Sequence, residues 1–251
     1  MAKPIGLQLY SLREQAERDF PGVLKQVSKM GYIGVEYAGL HGYSAKEIAK
    51  IINDLGLKSC SSHGPMPTKD NISQLAEQAH ILGYKYIVTG FGADDVKTLD
   101  AVKLTAEKFA EGAELAKQSG LKLCMHNHEW EFDKQFEGKT PYEIIMEAAP
   151  ELLSELDIYW AAYAKINVVE IMQRWNKRIP LLHVKDGDLT QDRVHKAVGE
   201  GKVAIKDIIE AADTNVLEWL IVELDACNTD MTEAVAKSIN WLAENGLGIK
   251  S

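Results

Sequence analysis

Four times in the first half of the chain a helical pattern is cut by a glycine and followed at once by an apolar, strand-like run. The junctions are Met30-Gly31-Tyr32, Leu55-Gly56-Leu57, Leu82-Gly83-Tyr84 and Ser119-Gly120-Leu121. A glycine just past a helix end supplies the left-handed cap conformation, and the residue after it opens the next strand. A chain punctuated in this way alternates strand and helix, the pattern of parallel strands joined by crossover helices. The period is one of structure rather than of repeated sequence.

The spacing predicts strands at Ile5–Ser11, Gly34–Ala38, Lys58–His63, Tyr86–Phe91, Lys122–His128, Glu155–Trp160, Leu181–Asp186 and Trp219–Asp225. Helical patterns lie between them near Pro21–Met30, Ser44–Leu55, Ile72–Leu82, Thr98–Gln118, Thr140–Ala149, Val168–Asn176 and Ile205–Ala212. A last helix, Thr232–Glu244, follows the eighth strand. Ser44 with Glu47 and Thr140 with Glu143 have capping-box spacing, and Asp230 with Glu233 repeats it. Pro141 falls at the first helical position, where its missing N–H costs nothing.

Eight alternations favour a closed parallel α/β barrel over a doubly wound sheet, and 251 residues suit one such domain, which takes about 250. No glycine-rich phosphate loop follows the first strand, LQLYSLREQ, and no linker rich in Pro, Gly or Ser divides the chain. The expected organisation is a single domain over residues 1–251.

The net charge of −9, from 28 basic and 37 acidic residues, argues against a nucleic-acid partner, which calls for a basic face. No apolar run approaches the roughly 20 residues needed to span a bilayer, and the N-terminus lacks the apolar core of a signal peptide. The expectation is a cytoplasmic protein with no membrane partner, and assembly as a homo-oligomer is left open. Cys60, Cys124 and Cys227 have no C-x-x-C spacing and read as small buried hydrophobes in a reducing compartment.

Chemistry collects where strands end. The stretch KLCMHNHEWEF, Lys122 to Phe132, starts apolar and finishes in His126, Asn127, His128, Glu129 and Glu131. Alternate residues of a strand share a face, so His126 and His128 should point the same way. The second strand carries Glu36 and the third ends in His63. The sixth carries Asp157, the seventh His183, Lys185 and Asp186, and the eighth Glu223 and Asp225. A parallel strand buried on both faces should be nearly all apolar. Asp157, His183 and Glu223 break that rule, and each unpaired buried charge costs several kcal/mol. A shared divalent cation removes that cost. A mainly oxygen donor set suits Mn²⁺, Mg²⁺ or Co²⁺, and added imidazole shifts the preference toward Zn²⁺.

The segments LQLYSLR, GYIGVEYAG, CSSHGPMP, MHNHEWEF, ELDIYW, LLHVKDGD, VGEGKVAIKDII and WLIVELDAC resemble the xylose isomerase-like TIM barrels, the sugar phosphate isomerases and epimerases. The resemblance runs in that family's order over nearly the whole chain and implies a (β/α)8 TIM barrel. The family includes sugar isomerases, keto-sugar epimerases, inosose dehydratases and lyases of 3-keto-glycosides, and zinc endonucleases of DNA repair share its barrel.

The resemblance places metal ligands at Asp157, His183 and Glu223 on strands six to eight. Many relatives have a glutamate near the end of strand five, where this chain has His126. Either Glu131, in the H-N-H-x-x-E-F form of the motif, supplies the carboxylate, or His126 is the ligand; Glu131 is preferred. Ketose epimerases of this barrel have D-x-x-H on strand six, whereas this chain has Asp157-Ile-Tyr-Trp160. Trp160 instead offers a flat face to stack on a sugar ring.

The implied chemistry is proton abstraction next to a carbonyl of a small sugar or polyol, with a divalent metal as Lewis acid. His126, His128 and Glu223 are candidates for the proton transfer. Lys185 is placed either to hold a developing oxyanion or in an ion pair with Asp186 or Glu223. Glu36 and His63 complete the substrate wall. The same parts serve isomerisation, epimerisation or β-elimination. An abasic-site endonuclease and a non-catalytic sugar-binding barrel are the rival readings.

Overall fold

A computed structural model describes residues 2–251. The chain runs through β1 (Lys3–Gln8), α1 (Arg13–Met30), β2 (Gly34–Tyr37), α2 (Ala45–Asp54), β3 (Lys58–His63), α3 (Ile72–Leu82) and β4 (Tyr86–Thr89). It continues through α4 (Leu99–Gln118), β5 (Lys122–His126), α5 (Pro141–Ala148), β6 (Leu153–Asp157), α6 (Ile158–Tyr163), α7 (Val168–Trp175) and β7 (Leu181–Val184). The last part holds a short ribbon of β8 (Asp186–Gly187) and β9 (His195–Lys196), then α8 (Ile205–Glu210), β10 (Trp219–Val222), α9 (Met231–Glu244) and β11 (Gly248–Ile249).

Strands β1 to β7 and β10 pair in parallel around a closed barrel. Closure comes from β1, which sets Gln8 opposite Glu36 on one side and Leu7 opposite Val222 on the other. The expected (β/α)8 TIM barrel is thus the observed fold.

Two apolar regions hold it. The larger packs the outer faces of the strands against the helices, with Phe20, Val27, Phe109, Tyr142, Met172 and Leu242 among its buried members. A smaller one plugs the barrel from inside and consists of Cys60, Tyr86, Val88, Cys124, Leu181 and Ile221. Cys60 and Cys124 are therefore the buried hydrophobes expected, while Cys227 is only half-buried. Gly34 makes room for this plug, because a Cβ there would lie 2.6 Å from Cys60 Sγ and 2.9 Å from the Trp219 ring.

Several local expectations are corrected, among them the ends of the seventh and eighth strands, which stop at Val184 and Val222. The first strand ends at Gln8 and passes through a 3-10 turn, Leu9–Leu12, into a helix that starts at Arg13 rather than Pro21. That helix bends at Asp19, whose Oδ1 accepts the Gly22 N–H at 2.9 Å and caps the second half, where Pro21 sits. The sixth strand stops at Asp157, because its carboxylate caps α6 by accepting the Tyr159 and Trp160 N–H groups at 3.0 Å each. Trp160 consequently lies on a helix and not on a strand. The fifth strand stops at His126, two residues earlier than expected. The Ser44–Glu47 and Thr140–Glu143 capping boxes form in both directions, whereas Asp230 caps Glu233 in one direction only.

Candidate metal centre

The polar strand residues meet at the C-terminal end of the barrel. Gln8, His63, His126 and Asp157 are the last residues of their strands, and Glu36 and His183 are next to last. Below the cavity floor lie two buried carboxylates, Glu36 and Glu155. Glu36 accepts from Gln8 Nε2 at 2.6 Å and from the Ser61 hydroxyl. It also accepts from His183 Nε2 at 2.6 Å. Glu155 Oε2 accepts from His63 Nε2 at 2.8 Å and from His126 Nδ1 at 3.2 Å.

These bonds place protons on three imidazole nitrogens. Glu36 is ionised and only accepts, and Glu155 Oε2 takes two imidazoles while its Oε1 is free to carry any proton, so each nitrogen facing them carries a proton. His126, held neutral, then keeps a lone pair on Nε2, whereas Glu155, Glu223 and Glu36 outweigh burial and raise the His183 pKa well above the usual imidazole value, so a metal bound at its Nδ1 would take the place of a proton. Both nitrogens lie on the side of Asp157: His126 Nε2 is 4.0 Å and His183 Nδ1 3.9 Å from Asp157 Oδ2. Glu223 Oε2 is 2.9 Å from His183 Nδ1.

One ligand atom each from His126, Asp157, His183 and Glu223 falls within 4.8 Å of the others. Asp157 Oδ2 and His183 Nδ1 are buried and make no hydrogen bond. With His183 Nδ1 deprotonated, both are electron-pair donors, and their 3.9 Å spacing fits a cation placed between them. Two imidazole nitrogens with two carboxylate oxygens form a donor set suited to a divalent ion of the Zn²⁺, Co²⁺ or Mn²⁺ type. A second group, His63, His126, Glu155 and His183, is equally compact, but its contacts are the hydrogen bonds just described. We read it as the layer that aims the ligand rings.

Electrostatics follow the same division. Burial pushes the Glu36 carboxyl up, yet the imidazoles of His63 and His183 outweigh it and hold it well below the usual carboxylate range. Burial and the charge of Glu36 push Glu155 up to about 8. Burial, with His183 and His63 beside it, holds His126 well below the usual imidazole value, so its ring is neutral.

Above the floor opens a cavity of about 640 Å³. Tyr10, Phe91 and Trp160 form apolar walls, and His63, His128, Lys185, Glu223 and Asp225 add polar groups. His128 stacks on Trp130 with ring centroids 4.2 Å apart, and its buried Nδ1 has no partner. Burial lowers its pKa to about 4. Lys185 Nζ sits among Glu223 Oε2 at 2.6 Å, Asp225 Oδ2 at 2.9 Å and Asp157 Oδ2 at 3.0 Å. Asp186, the alternative partner expected for it, faces away and accepts backbone N–H groups from Gly187, Gly199, Gly201 and Val203.

Of the expected site residues, Glu36, His63, His126, His128, Asp157, Trp160, His183, Lys185 and Glu223 come together at this end. Glu131 does not join the cluster. It is buried, its Oε2 accepts the His128 N–H at 2.9 Å, and it belongs to neither ligand group. Its role is to shape the turn after β5, and the strand-five donor facing the cluster is His126.

Three residues are new. Glu155 shares a strand face with Asp157, and that two-residue spacing was visible in ELD. Asn127 joins the ends of β5 and β6, its Oδ1 accepting from Asp157 N at 2.9 Å and its Nδ2 donating to Asp157 O at 3.2 Å. His195, on the ribbon, accepts the Asp225 N–H on Nδ1 at 3.0 Å; nothing in its sequence context marks it.

No curated protein matches the sequence. A sugar phosphate isomerase/epimerase from Parabacteroides distasonis ATCC 8503 superposes with a TM-score of 0.74 at 26% identity, over 96% of this chain and 94% of that one. An L-ribulose 3-epimerase superposes at 0.73 and 18% identity, covering 98% and 95% of the two chains. The IolI protein, solved with a bound zinc atom, superposes at 0.73 and 15% identity over 97% of each chain. The family described as xylose isomerase-like TIM barrel matches residues 24–245. With that match spanning most of the barrel, the chain belongs to the xylose isomerase-like TIM barrel family.

Proposed function

We propose that the protein is a divalent-metal-dependent isomerase or epimerase of a sugar or keto-sugar, moving a proton next to a carbonyl. The observation that carries this reading is that one ligand atom each from His126, Asp157, His183 and Glu223 lies within 4.8 Å of the others, beneath the cavity. A divalent ion held there supplies Lewis acidity toward the oxygens of a bound hydroxycarbonyl.

The chain's own groups do the rest. Glu223 and His128 both line the cavity and are the groups placed to take up and return a proton. Lys185 and His63 offer N–H donors to substrate oxygens. Trp160 gives an apolar face against which a ring can lie, and Arg193 stands 5.9 Å from that ring.

The cavity also bears on the substrate's charge. Among the residues lining it the cations are Lys185, which three carboxylates engage, and His63, which Glu36 and Glu155 engage. A phosphate ester calls for free basic groups or a cluster of backbone N–H donors. The arrangement supports an uncharged polyhydroxy carbonyl compound. The net charge of −9 supports a small-molecule partner over nucleic acid. Among the described residues no helix is long and apolar enough to cross a membrane.

The test is solvent-deuterium exchange on a panel of ketoses, inososes and 3-keto-glycosides in ²H₂O, with Mn²⁺, Co²⁺, Mg²⁺ or Zn²⁺ and with chelator. Metal-dependent label at the carbon beside the carbonyl is the expected result. Absence of exchange on every substrate with every metal overturns the reading.

A further inference from the structure

Lys185 follows β7 and its side chain is 1% exposed. Two of its three partner oxygens, Asp157 Oδ2 and Glu223 Oε2, are those that face the candidate ion. The third, Asp225 Oδ2, belongs to no ligand group. It is also the one to which the ammonium makes a well-directed hydrogen bond, at 2.9 Å. An ammonium and a divalent ion cannot share the same pair of oxygens without strong like-charge repulsion at close range.

Asp225 is built to stay where it is. Its N–H is held by His195 Nδ1 at 3.0 Å and its carbonyl oxygen accepts from the Arg13 guanidinium at 2.9 Å. Its side chain is 33% exposed and lines the cavity. A lysine turned fully toward it would present its remaining N–H groups to the space a substrate fills.

We propose that Lys185 and the divalent ion compete for Asp157 Oδ2 and Glu223 Oε2, with Asp225 the position to which the ammonium withdraws as the ion binds. The inference rests on the metal reading above. Lys185 is then a resident cation that neutralises the ligand carboxylates before loading, and loading redirects its N–H donors into the cavity. Asp225 acts through Lys185: it gives the displaced charge a partner.

The test is a double-mutant cycle on the full chain, titrating wild type, Lys185→Met, Asp225→Asn and the double variant with MnCl₂ and recording each melting midpoint without metal. Lys185→Met should bind Mn²⁺ at least about tenfold tighter, since a like charge at contact distance is removed. It should also melt lower without metal, because the carboxylates lose their counter-charge. Asp225→Asn should bind Mn²⁺ more weakly, and most of that loss should vanish in the double variant. Lys185→Gln repeats the reading if Lys185→Met does not fold. A lysine variant that binds no tighter than wild type, or an Asp225 effect that persists unchanged without the lysine, overturns the proposal and leaves the metal site standing. If none of the proteins binds Mn²⁺, the metal reading fails and the competition with it. Binding by the lysine variant alone would support the competition.

Discussion

Glu155 Oε2 accepts a hydrogen bond from His126 Nδ1 at 3.2 Å, and that contact decides which nitrogen of His126 faces Asp157. Removing it should leave the ring free to turn. Glu155→Ala is expected to weaken divalent-metal affinity by roughly 10–100-fold, the usual cost of losing a partner that orients a ligand histidine. The melting midpoint of the metal-free protein should also fall, because His63 and His126 lose a buried acceptor, so affinity is compared at a temperature where both proteins are folded. Calorimetric titration of both proteins checks it; unchanged affinity contradicts the orienting role.

His126 and Glu131 should separate cleanly. His126→Gln is expected to lose metal, whereas Glu131→Gln should keep it. Burial pushes the Glu131 carboxyl well above the usual carboxylate range, which favours the neutral form that the amide resembles, so the replacement should cost little stability. Metal content after gel filtration, with a melting curve for each variant, reads both outcomes. Metal loss in Glu131→Gln alone would restore the assignment preferred from the sequence.

Asp186 should matter for stability and not for metal binding. Its carboxylate accepts four backbone N–H groups, between 2.8 and 3.1 Å, and so pins residues 199–203 beside β8. Hydrogen bonds to a charged group contribute about 1.5–3 kcal/mol each, so Asp186→Ala should cost at least ~3 kcal/mol. Gly201→Ala should destabilise by the same contact, since a Cβ there would lie 2.2 Å from Asp186 Oδ1. Urea denaturation measures both, and two variants as stable as wild type would contradict the anchoring role.

The His63 ring predicts a pH dependence. Burial works to lower its pKa, but Glu36 and Glu155 raise it from 6.5 to about 10. A value raised on folding adds stability that is fully present below the unfolded pKa and disappears as pH rises through the folded one. In chelator, the stability advantage of wild type over His63→Gln should therefore be largest below pH 6.5 and shrink toward pH 10. An advantage that grows over that interval contradicts the pairing.

Much of the barrel is legible in the sequence because glycine caps and apolar strand runs are local signals. The Gly31 and Gly83 junctions predict their helix ends to the residue, and both adopt the left-handed conformation. The ends of β5 and β6 are not legible in the same way. Asp157 fits a strand by pattern, but its carboxylate caps the next helix, and Asn127 replaces a ladder bond with a side chain. Both effects need the neighbouring strand in place.

The candidate site follows the same rule. His183 and Glu223 announce themselves by interrupting apolar runs, whereas the choice between His126 and Glu131 depends on a turn whose course no local pattern sets. The three carboxylates around Lys185 come from β6 and from beyond β10, so their meeting is a property of barrel closure.

The central claim is that one divalent ion sits among residues of β5, β6, β7 and the end of β10. Anomalous diffraction at the zinc edge, from crystals grown with ZnCl₂, tests it most directly. The account predicts a single peak at about 2.0–2.2 Å from His126 Nε2, Asp157 Oδ2, His183 Nδ1 and Glu223 Oε2. A peak coordinated by Glu131 in place of His126, or no peak at this end of the barrel, would contradict it.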